Sequence, residues 1–381
     1  MTWEFIQRTA LAVAAVALLA VLPAQAQRVA KYGADFLSGG VGARALAMGG
    51  AQVALTKDVN AGYWNPAGLT GLRYPELAYM HAERFDGIVS FDYGSVALPV
   101  TGRSSLGISF YRSAVDNIQN TLNAWDVERD QPKANPETFF EPFSAADMAF
   151  FVSYGRGLSD KLAIGVTGKI IRRTIGDFAD AWGYSFDIGA QYRTERFVLG
   201  ANVQDASTMT QTWSINRDAF AIDDVDPETG LPFTFEDVFE QELPEGGSFI
   251  VLPVARLGSG LILPAGTGNT FTLGFDVDLA FDGQQANAFN VGEMSIHPRL
   301  GTEFSLKNVV ALRAGVNRIT NSEAYGLDFV PSVGAGLTLR QVQLDYGFGD
   351  FGGLPSELGL SHRISVQLTL ERPGRQAAAD S

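Results

Sequence analysis

The stretch Phe271-Thr272-Leu273-Gly274-Phe275-Asp276-Val277-Asp278-Leu279-Ala280-Phe281-Asp282 alternates strictly between two kinds of side chain. Phe271, Leu273, Phe275, Val277, Leu279 and Phe281 are large and apolar, while their neighbours are threonine, glycine, alanine and aspartate. Successive side chains of an extended strand point to opposite faces, so one face here is wholly apolar and the other small or acidic. The same period of two recurs elsewhere. Tyr184, Phe186, Ile188, Ala190 and Tyr192 oppose Ser185, Asp187, Gly189, Gln191 and Arg193. Ile364, Val366, Leu368 and Leu370 oppose Arg363, Ser365, Gln367 and Thr369, and Val342, Leu344, Tyr346 and Phe348 oppose Gln343, Asp345 and Gly347.

A soluble antiparallel sheet with one wet face would also alternate. Two features point away from it. Most of the alternating runs last about 9–14 residues, whereas soluble strands average about 5–6. The connections also differ systematically in length. Fourteen strands are expected, near 75–83, 86–98, 104–113, 146–158, 160–173, 181–194, 196–205, 248–262, 269–282, 294–305, 308–320, 329–340, 341–351 and 358–371. Connections after even strands are short turns such as Ser159-Asp160, Thr194-Glu195 and Lys307; those after odd strands include the two longest loops, 114–145 and 206–247. Short turns on one side and long loops on the other is the asymmetry of an outer-membrane barrel. An even strand number closes the sheet without a free edge. The fold class read from the sequence is therefore all-β, a 14-stranded antiparallel transmembrane β-barrel over residues 75–371.

Composition agrees. The 381 residues are 46% apolar with a mean hydropathy of only +0.05, too polar for a bundle of membrane helices. Gly (42) and Phe (26) are abundant and charged residues are held to 18%, which suits glycine-punctuated strands with aromatic belts. The absence of cysteine removes disulfides, thiolate metal sites and cysteine nucleophiles. A net charge of −14 argues against nucleic acid as a partner. At the start of the chain, Arg8 precedes an apolar run from Thr9 to Leu22, and Ala24-Gln25-Ala26 follows Pro23 as an A-x-A cleavage site. Residues 1–26 are read as a cleaved signal peptide and 372–381 as a polar tail. Location in the outer membrane, among its lipids and lipopolysaccharide, is the expectation.

Residues 27–74 do not alternate. They are rich in Gly and Ala, with a polar break at Lys57-Asp58 and a turn signal at Asn65-Pro66 from which a helix can start. A fourteen-stranded barrel is too wide for its own side chains to close, so this Gly/Ala-rich segment is expected to fill the lumen as a hatch. Gly42-Ala43-Arg44 with Met48-Gly49-Gly50-Ala51, followed by Tyr63-Trp64-Asn65-Pro66-Ala67-Gly68-Leu69, resembles the opening signature of the PorV/PorQ family of outer-membrane proteins. That family lies within the FadL-like barrel group, which shares the Asn-Pro-Ala-Gly element. The resemblance implies a fourteen-stranded barrel with a hatch at about residues 33–72. On the PorV side it implies type IX secretion, with secreted cargo or surface attachment proteins as partners of the loops. On the FadL side it implies uptake of hydrophobic small molecules through a gated lumen. The sequence departs from many outer-membrane barrels in ending on a polar tail rather than an aromatic residue.

By the alternation, Lys169, Asp187, Arg193, Arg256, Asp276, Asp278, Arg299, Glu303, Arg313, Asp345 and Arg363 face the lumen. Isolated buried charges are costly, so these should pair as a lattice bracing the barrel or its plug; an ion-lined pore is the sharper alternative. An apolar pocket by the hatch would favour transport, and a charged, filled lumen a scaffold. The charges tilt the sequence reading toward the secretion role. From Asp205 to Glu245 there are eleven carboxylates and one basic residue, Arg217. Asp223, Asp224, Asp226 and Glu228 lack the glycine turn and terminal glutamate of an EF-hand loop, so a solvated acidic loop is expected rather than a calcium site. Only His81, His297 and His362 are available for acid–base work, and Ser361 and His362, adjacent on a strand, point to opposite faces. No enzymatic site and no cofactor are expected.

Overall fold

The computed structural model describes residues 28–29, 35–85, 87–281, 289–292, 294–322, 326–349 and 361–371. The expected signal peptide and C-terminal tail lie outside them. Among the described residues fourteen antiparallel strands close into one barrel. They are β1 (Glu76–Arg84), β2 (Val89–Thr101), β3 (Ser104–Asn120), β4 (Glu141–Gly157), β5 (Leu162–Ile175), β6 (Ala179–Arg193) and β7 (Phe197–Gln204) in the first half. The second half holds β8 (Val254–Pro264), β9 (Thr270–Ala280), β10 (Met294–Leu306), β11 (Val310–Ser322), β12 (Gly326–Leu339), β13 (Val342–Gly349) and β14 (Ser361–Thr369). Each pairs with its neighbours in sequence, and β14 closes on β1 from Glu76↔Thr369 to Glu83↔His362.

The alternation becomes a division between lipid face and lumen. Along β3 and β4, Ile108 and Val152 are 64% and 61% exposed, while their neighbours Ser109 and Ser153 are 2% and 1% exposed. Tight turns join strands at one end, the β10–β11 turn using left-handed backbone at Lys307 and Asn308. A closed barrel has all its strand hydrogen bonds internal, which makes it slow to open. Unheated protein in dodecyl sulfate should therefore migrate apart from boiled protein on gels, and a single unchanged band would count against the closed barrel.

Two expectations about the long loops are corrected. The loop placed at 114–145 shrinks to 121–140, because β3 runs on to Asn120 and β4 already starts at Glu141. The loop placed at 206–247 begins with more strand. After a break at 205–208 the seventh strand resumes as Met209–Ile215, which pairs with Gly247–Val251 ahead of β8. From Val203↔Ile188 to Thr210↔Tyr184 the seventh strand advances seven residues while β6 advances four, so three extra residues bulge out of the ladder. Asp205 and Thr208 take left-handed backbone at φ 55° and 59° to make the bulge. Of the opening alternating stretch, Ala280 ends β9 and Asp282 lies outside the described residues.

Inside the barrel lies the segment from Phe36 to Leu72, most of it fully buried. It folds into two short helices, α1 (Ala43–Ala47) and α2 (Ala61–Trp64), and a 3-10 turn at Pro66–Gly71. Helix α1 is short because glycines bound it, and α2 stops where Asn65 turns extended ahead of Pro66. Gly42 enters α1 at φ 86°, and Gly49 and Gly50 leave it at φ 61° and 77°, conformations open to residues without a Cβ.

Candidate functional site: the plugged lumen

The inner wall is cut to receive this segment by glycine. A Cβ on Gly347 would stand 2.6 Å from the Ala43 carbonyl oxygen, and one on Gly155 or Gly165 2.7 Å from that of Pro66. Gly301 and Gly315 press on the backbone of Met48 and Gly49, Gly189 on Asn65, and Gly200 on Val53 and Ala54. These glycines stand on strands all round the barrel. The sequence marked the inward positions as small or charged; the glycines among them are where the plug backbone touches the wall.

The inward charges fill the spaces between. Arg44 reaches from α1 to β10 and donates twice to Glu303, at 2.8 and 3.1 Å. Glu303 also accepts from Arg313 at 2.6 Å, and Arg313 donates to Asp345 at 2.7 Å. Asp276 accepts the Val53 amide at 2.8 Å. Asp278 pairs with Arg299 at 2.5 Å and more loosely with Arg256 at 3.5 Å. Arg363, fully buried, donates to the carbonyls of Gly39 and Gly40 at 3.0 and 3.1 Å. Arg193 donates to the Ala54 carbonyl at 3.2 Å beside Gln191, which donates to it at 2.7 Å. Lys169 and Asp187 form a third group with a residue the sequence reading missed, Asp205, at 2.7 and 2.5 Å. Asp205 looked like the start of an acidic loop; its place in the bulge brings it inside.

The motif residues occupy the centre of the plug. Asn65 accepts the Ala67 amide and donates to the Val53 carbonyl at 2.9 Å and, across to β6, to the Ala190 carbonyl at 3.0 Å. One side chain thus starts the Pro66 turn, ties two arms of the plug and anchors both to the wall. Trp64 donates to the Val41 carbonyl at 3.1 Å, and Ala43 donates its amide to Ser365 at 3.1 Å. Met48 is buried, and a Cβ on Gly68 would stand 2.6 Å from the Thr56 carbonyl oxygen. Replacing Asn65 with Ala removes a buried partner from several backbone groups. It should lower plug stability by about 1–3 kcal/mol, read as faster hydrogen exchange at residues 53–67.

Beyond the plug, towards the long loops, lies an apolar chamber. Tyr63, Met80, Phe91, Tyr93, Tyr111, Phe151, Ile171 and Met209 are buried together there, and Phe36 and Leu37 of the N-terminal segment occupy it. The Phe36 ring stands 6.0 Å from Tyr111, and the Arg173 guanidinium lies 5.7 Å from Phe36 and 5.4 Å from Trp213. Arg173 is neutralised by Asp147 at 2.6 Å. A cavity of about 200 Å³ adjoins them, lined by Ser113, Ala145, Asp147, Arg173, Ile175 and Trp213.

The two long loops lean on each other above this chamber. Lys133 pairs with Asp224 at 2.8 Å, and the Val127 amide also donates to Asp224. Phe143, Phe178, Phe220, Phe235 and Phe239 form a continuous run of ring contacts, with centroids 4.6–5.8 Å apart. The hydrogen bond from Lys133 holds the Asp224 carboxyl below its ordinary value. A depressed carboxyl stabilises the loop contact above the free aspartate value of about 3.9, and the contribution is lost as acid protonates it. Protection of the Val127 amide, measured against its intrinsic exchange rate at each pH, should be high at neutral pH and fall below about pH 4; protection that does not change with pH would remove the tie. Of the acidic quartet, Asp224 is thus engaged by Lys133, and Asp226 accepts from Glu228 and Thr229 of its own turn.

No family model matches the chain, and no curated protein matches it in sequence. Solved structures do match it in fold. The toluene transporter TodX of Pseudomonas putida superposes with a TM-score of 0.53 at 14% identity, over 86% of this chain and 97% of TodX. The monoaromatic hydrocarbon channel CymD gives 0.55 at 14% identity, over 87% and 98%. The Ralstonia pickettii toluene transporter TbuX gives 0.51 at 12% identity, over 88% and 100%. The chain therefore has the FadL-like barrel fold of these outer-membrane transporters. The narrower PorV/PorQ resemblance is not shown by these comparisons.

Proposed function

We propose that the protein is an outer-membrane channel for hydrophobic small molecules of about single-ring size, with residues 36–72 as its plug. The observation that carries this reading is the buried aromatic cluster at the plug, into which the chain's own Phe36 is packed beside Arg173, a lining residue of a cavity of about 200 Å³. Displacing the Phe36 ring would vacate an apolar space among Tyr63, Phe91 and Tyr111, and an apolar cavity of about 150 Å³ is enough to bind benzene. The lumen charges are directed at the plug and at one another, the filled lumen expected of a scaffold; what supports transport instead is the apolar cluster at the plug. Names of the fold neighbours, toluene transporters and a monoaromatic hydrocarbon channel, agree with the proposed substrate class. The reading is non-enzymatic: Ser361 is buried inside while His362 faces outward and bonds Tyr346 at 2.7 Å.

The test is uptake of labelled toluene by cells with and without the protein. Uptake should rise with the wild type and rise several-fold further with Phe36→Ala, which empties the chamber. Equal uptake in all three would overturn the proposal. Surface proteins co-purifying with the barrel, together with unchanged uptake, would favour the secretion role that the PorV/PorQ motif implies.

A further inference from the structure

Between the aromatic cluster and α1 the chain runs as a stretch of turns whose backbone oxygens are received by side chains. The Phe36 carbonyl accepts from Tyr111 Oη of β3 at 3.0 Å, and the Leu37 carbonyl accepts from Tyr63 Oη of α2. Further along, the carbonyls of Gly39 and Gly40 accept from the two terminal nitrogens of Arg363 on β14, at 3.0 and 3.1 Å. The nitrogen on Gly40 also lies 3.5 Å from the Gly42 carbonyl. Arg363 stands opposite Ala82 of β1 in register, and Ala82 opposite Phe91 of β2, so this fully buried guanidinium borders the aromatic cluster. Residues 38–41 lie outside helix and strand, so no ladder fastens the stretch.

Together these groups describe a ligand as a ring followed by oxygens. The ring is Phe36, packed with Tyr63, Phe91 and Tyr111. The oxygens are carbonyls, and the groups that meet them are donors. A guanidinium has no acceptor and presents its N–H groups in a planar fork. One oxygen on each terminal nitrogen is what the two oxygens of a carboxylate supply to such a fork. Buried away from water, the Arg363 charge needs acceptors, so whatever displaces the Gly39 and Gly40 carbonyls must replace them. Arg173, the other guanidinium near Phe36, already holds a carboxylate, that of Asp147, at 2.6 Å.

We propose that the site takes monocyclic aromatic carboxylates, the ring replacing Phe36 and the carboxylate replacing the Gly39 and Gly40 carbonyls on Arg363. This rests on the reading of the cluster as the channel's ligand site, and narrows its best ligand to a ring with an anionic head. Three residues of chain separate Phe36 from Gly39, so a short spacer joins ring to head. A hydrocarbon such as toluene replaces the ring alone and leaves Arg363 on the carbonyls. A linear acid reaches the fork but leaves the aromatic walls without a ring. An amine would bring a cation and further donors to a guanidinium that has only donors to offer.

The experiment measures binding of labelled 3-phenylpropanoate to the full-length barrel in detergent at neutral pH, by equilibrium dialysis. Its competitors are 3-phenylpropanamide, 3-phenylpropylammonium and hexanoate. The acid should bind about ten-fold more tightly than each, because it alone brings both a ring and a charged pair of oxygens. Arg363→Met should abolish the preference for acid over amide. Arg363→Lys keeps the charge and loses the fork, and should lower that preference about three-fold. The shift of the band on heating shows whether each variant has folded; if Arg363→Met has not, the wild-type comparison and Arg363→Lys decide. Acid bound no better than amide, hexanoate bound as tightly as 3-phenylpropanoate, or an undiminished preference in either folded variant would each overturn the proposal. Toluene uptake that rises with the protein while the acid shows no preference sinks the carboxylate alone. No gain in toluene uptake and no binding of any ring-bearing probe would sink the channel reading as well.

Discussion

Gly315→Val should open the barrel: in planar bilayers the variant is expected to conduct in large, frequent steps where the wild type is nearly silent. The reason is spatial. Gly315 on β11 and Gly301 on β10 face the Met48–Gly49 backbone, and Gly49 itself is held against the wall, where a Cβ would stand 2.6 Å from the Val316 carbonyl oxygen. There is wall on one side and plug backbone on the other, with no flexible side chain to move aside. Overpacking of a fitted interior typically costs 1–3 kcal/mol, and more where the obstacle is backbone. The barrel wall is tied by backbone ladders from β10 to β12, with one register shift between Asn317 and Ile319, so it has less freedom to yield than a segment held by a few side-chain bonds. The plug is expected to lose. Gly168→Val supplies the control, since that glycine faces outward into open space and its replacement should leave conductance alone. A silent Gly315→Val barrel with unchanged melting would show that the plug does not depend on this contact.

The strands were legible because the membrane enforces them. Phe271, Phe275 and Leu279 must face lipid and Asp276 and Asp278 must not, so the register of β9 is written in its composition. Where the strands leave the membrane, both faces are wet and the alternation fades. That is why the ends of β3 and β4, Asp116 to Asn120 and Glu141 to Ala145, read as loop. The break at 205–208 was hidden for a related reason: Asp205-Ala206-Ser207-Thr208 has the chemistry of a turn, and only the long-range pairing of Thr210 with Tyr184 shows that the strand resumes. In the lumen the direction of each charge followed from period two. Its partner did not, because Arg44 and Glu303 are 259 positions apart and meet only once the plug is seated. The inward glycines were visible as small residues, but which of them touch plug backbone depends on the plug's path. Asn65 stood out as a motif, although its bonds to Val53 and Ala190 belong to the tertiary structure alone.

The second large effect is expected at Lys169. Its side chain is fully buried and sits within 2.7 Å of Asp187 and 2.5 Å of Asp205, which are themselves almost wholly enclosed. Asp205 further accepts from Ser185 at 2.6 Å, and its amide donates to Asp187 at 2.7 Å, so the three side chains pin the bulge to β5 and β6. Lys169→Met keeps the length of the side chain and removes its charge. Two carboxylates are then left facing each other without a cation, and breaking a buried ion pair in this way costs about 3–5 kcal/mol. The barrel should unfold at markedly lower denaturant, with exchange rising first at 185–187 and 203–210. Adding Asp187→Asn and Asp205→Asn removes the charges together, and replacing a whole buried ionic group is often close to neutral. Much of the lost stability should then return. If the single variant is as stable as wild type, the triad does not hold the bulge. If the triple variant is no better than the single, the loss comes from packing around the Lys169 stem rather than from uncompensated charge. Recovery in the triple variant would identify uncompensated charge as the cause of the single variant's loss, and would show that the break at 205–208, with Met209–Ile215 still paired to β6, persists without the ion pairs.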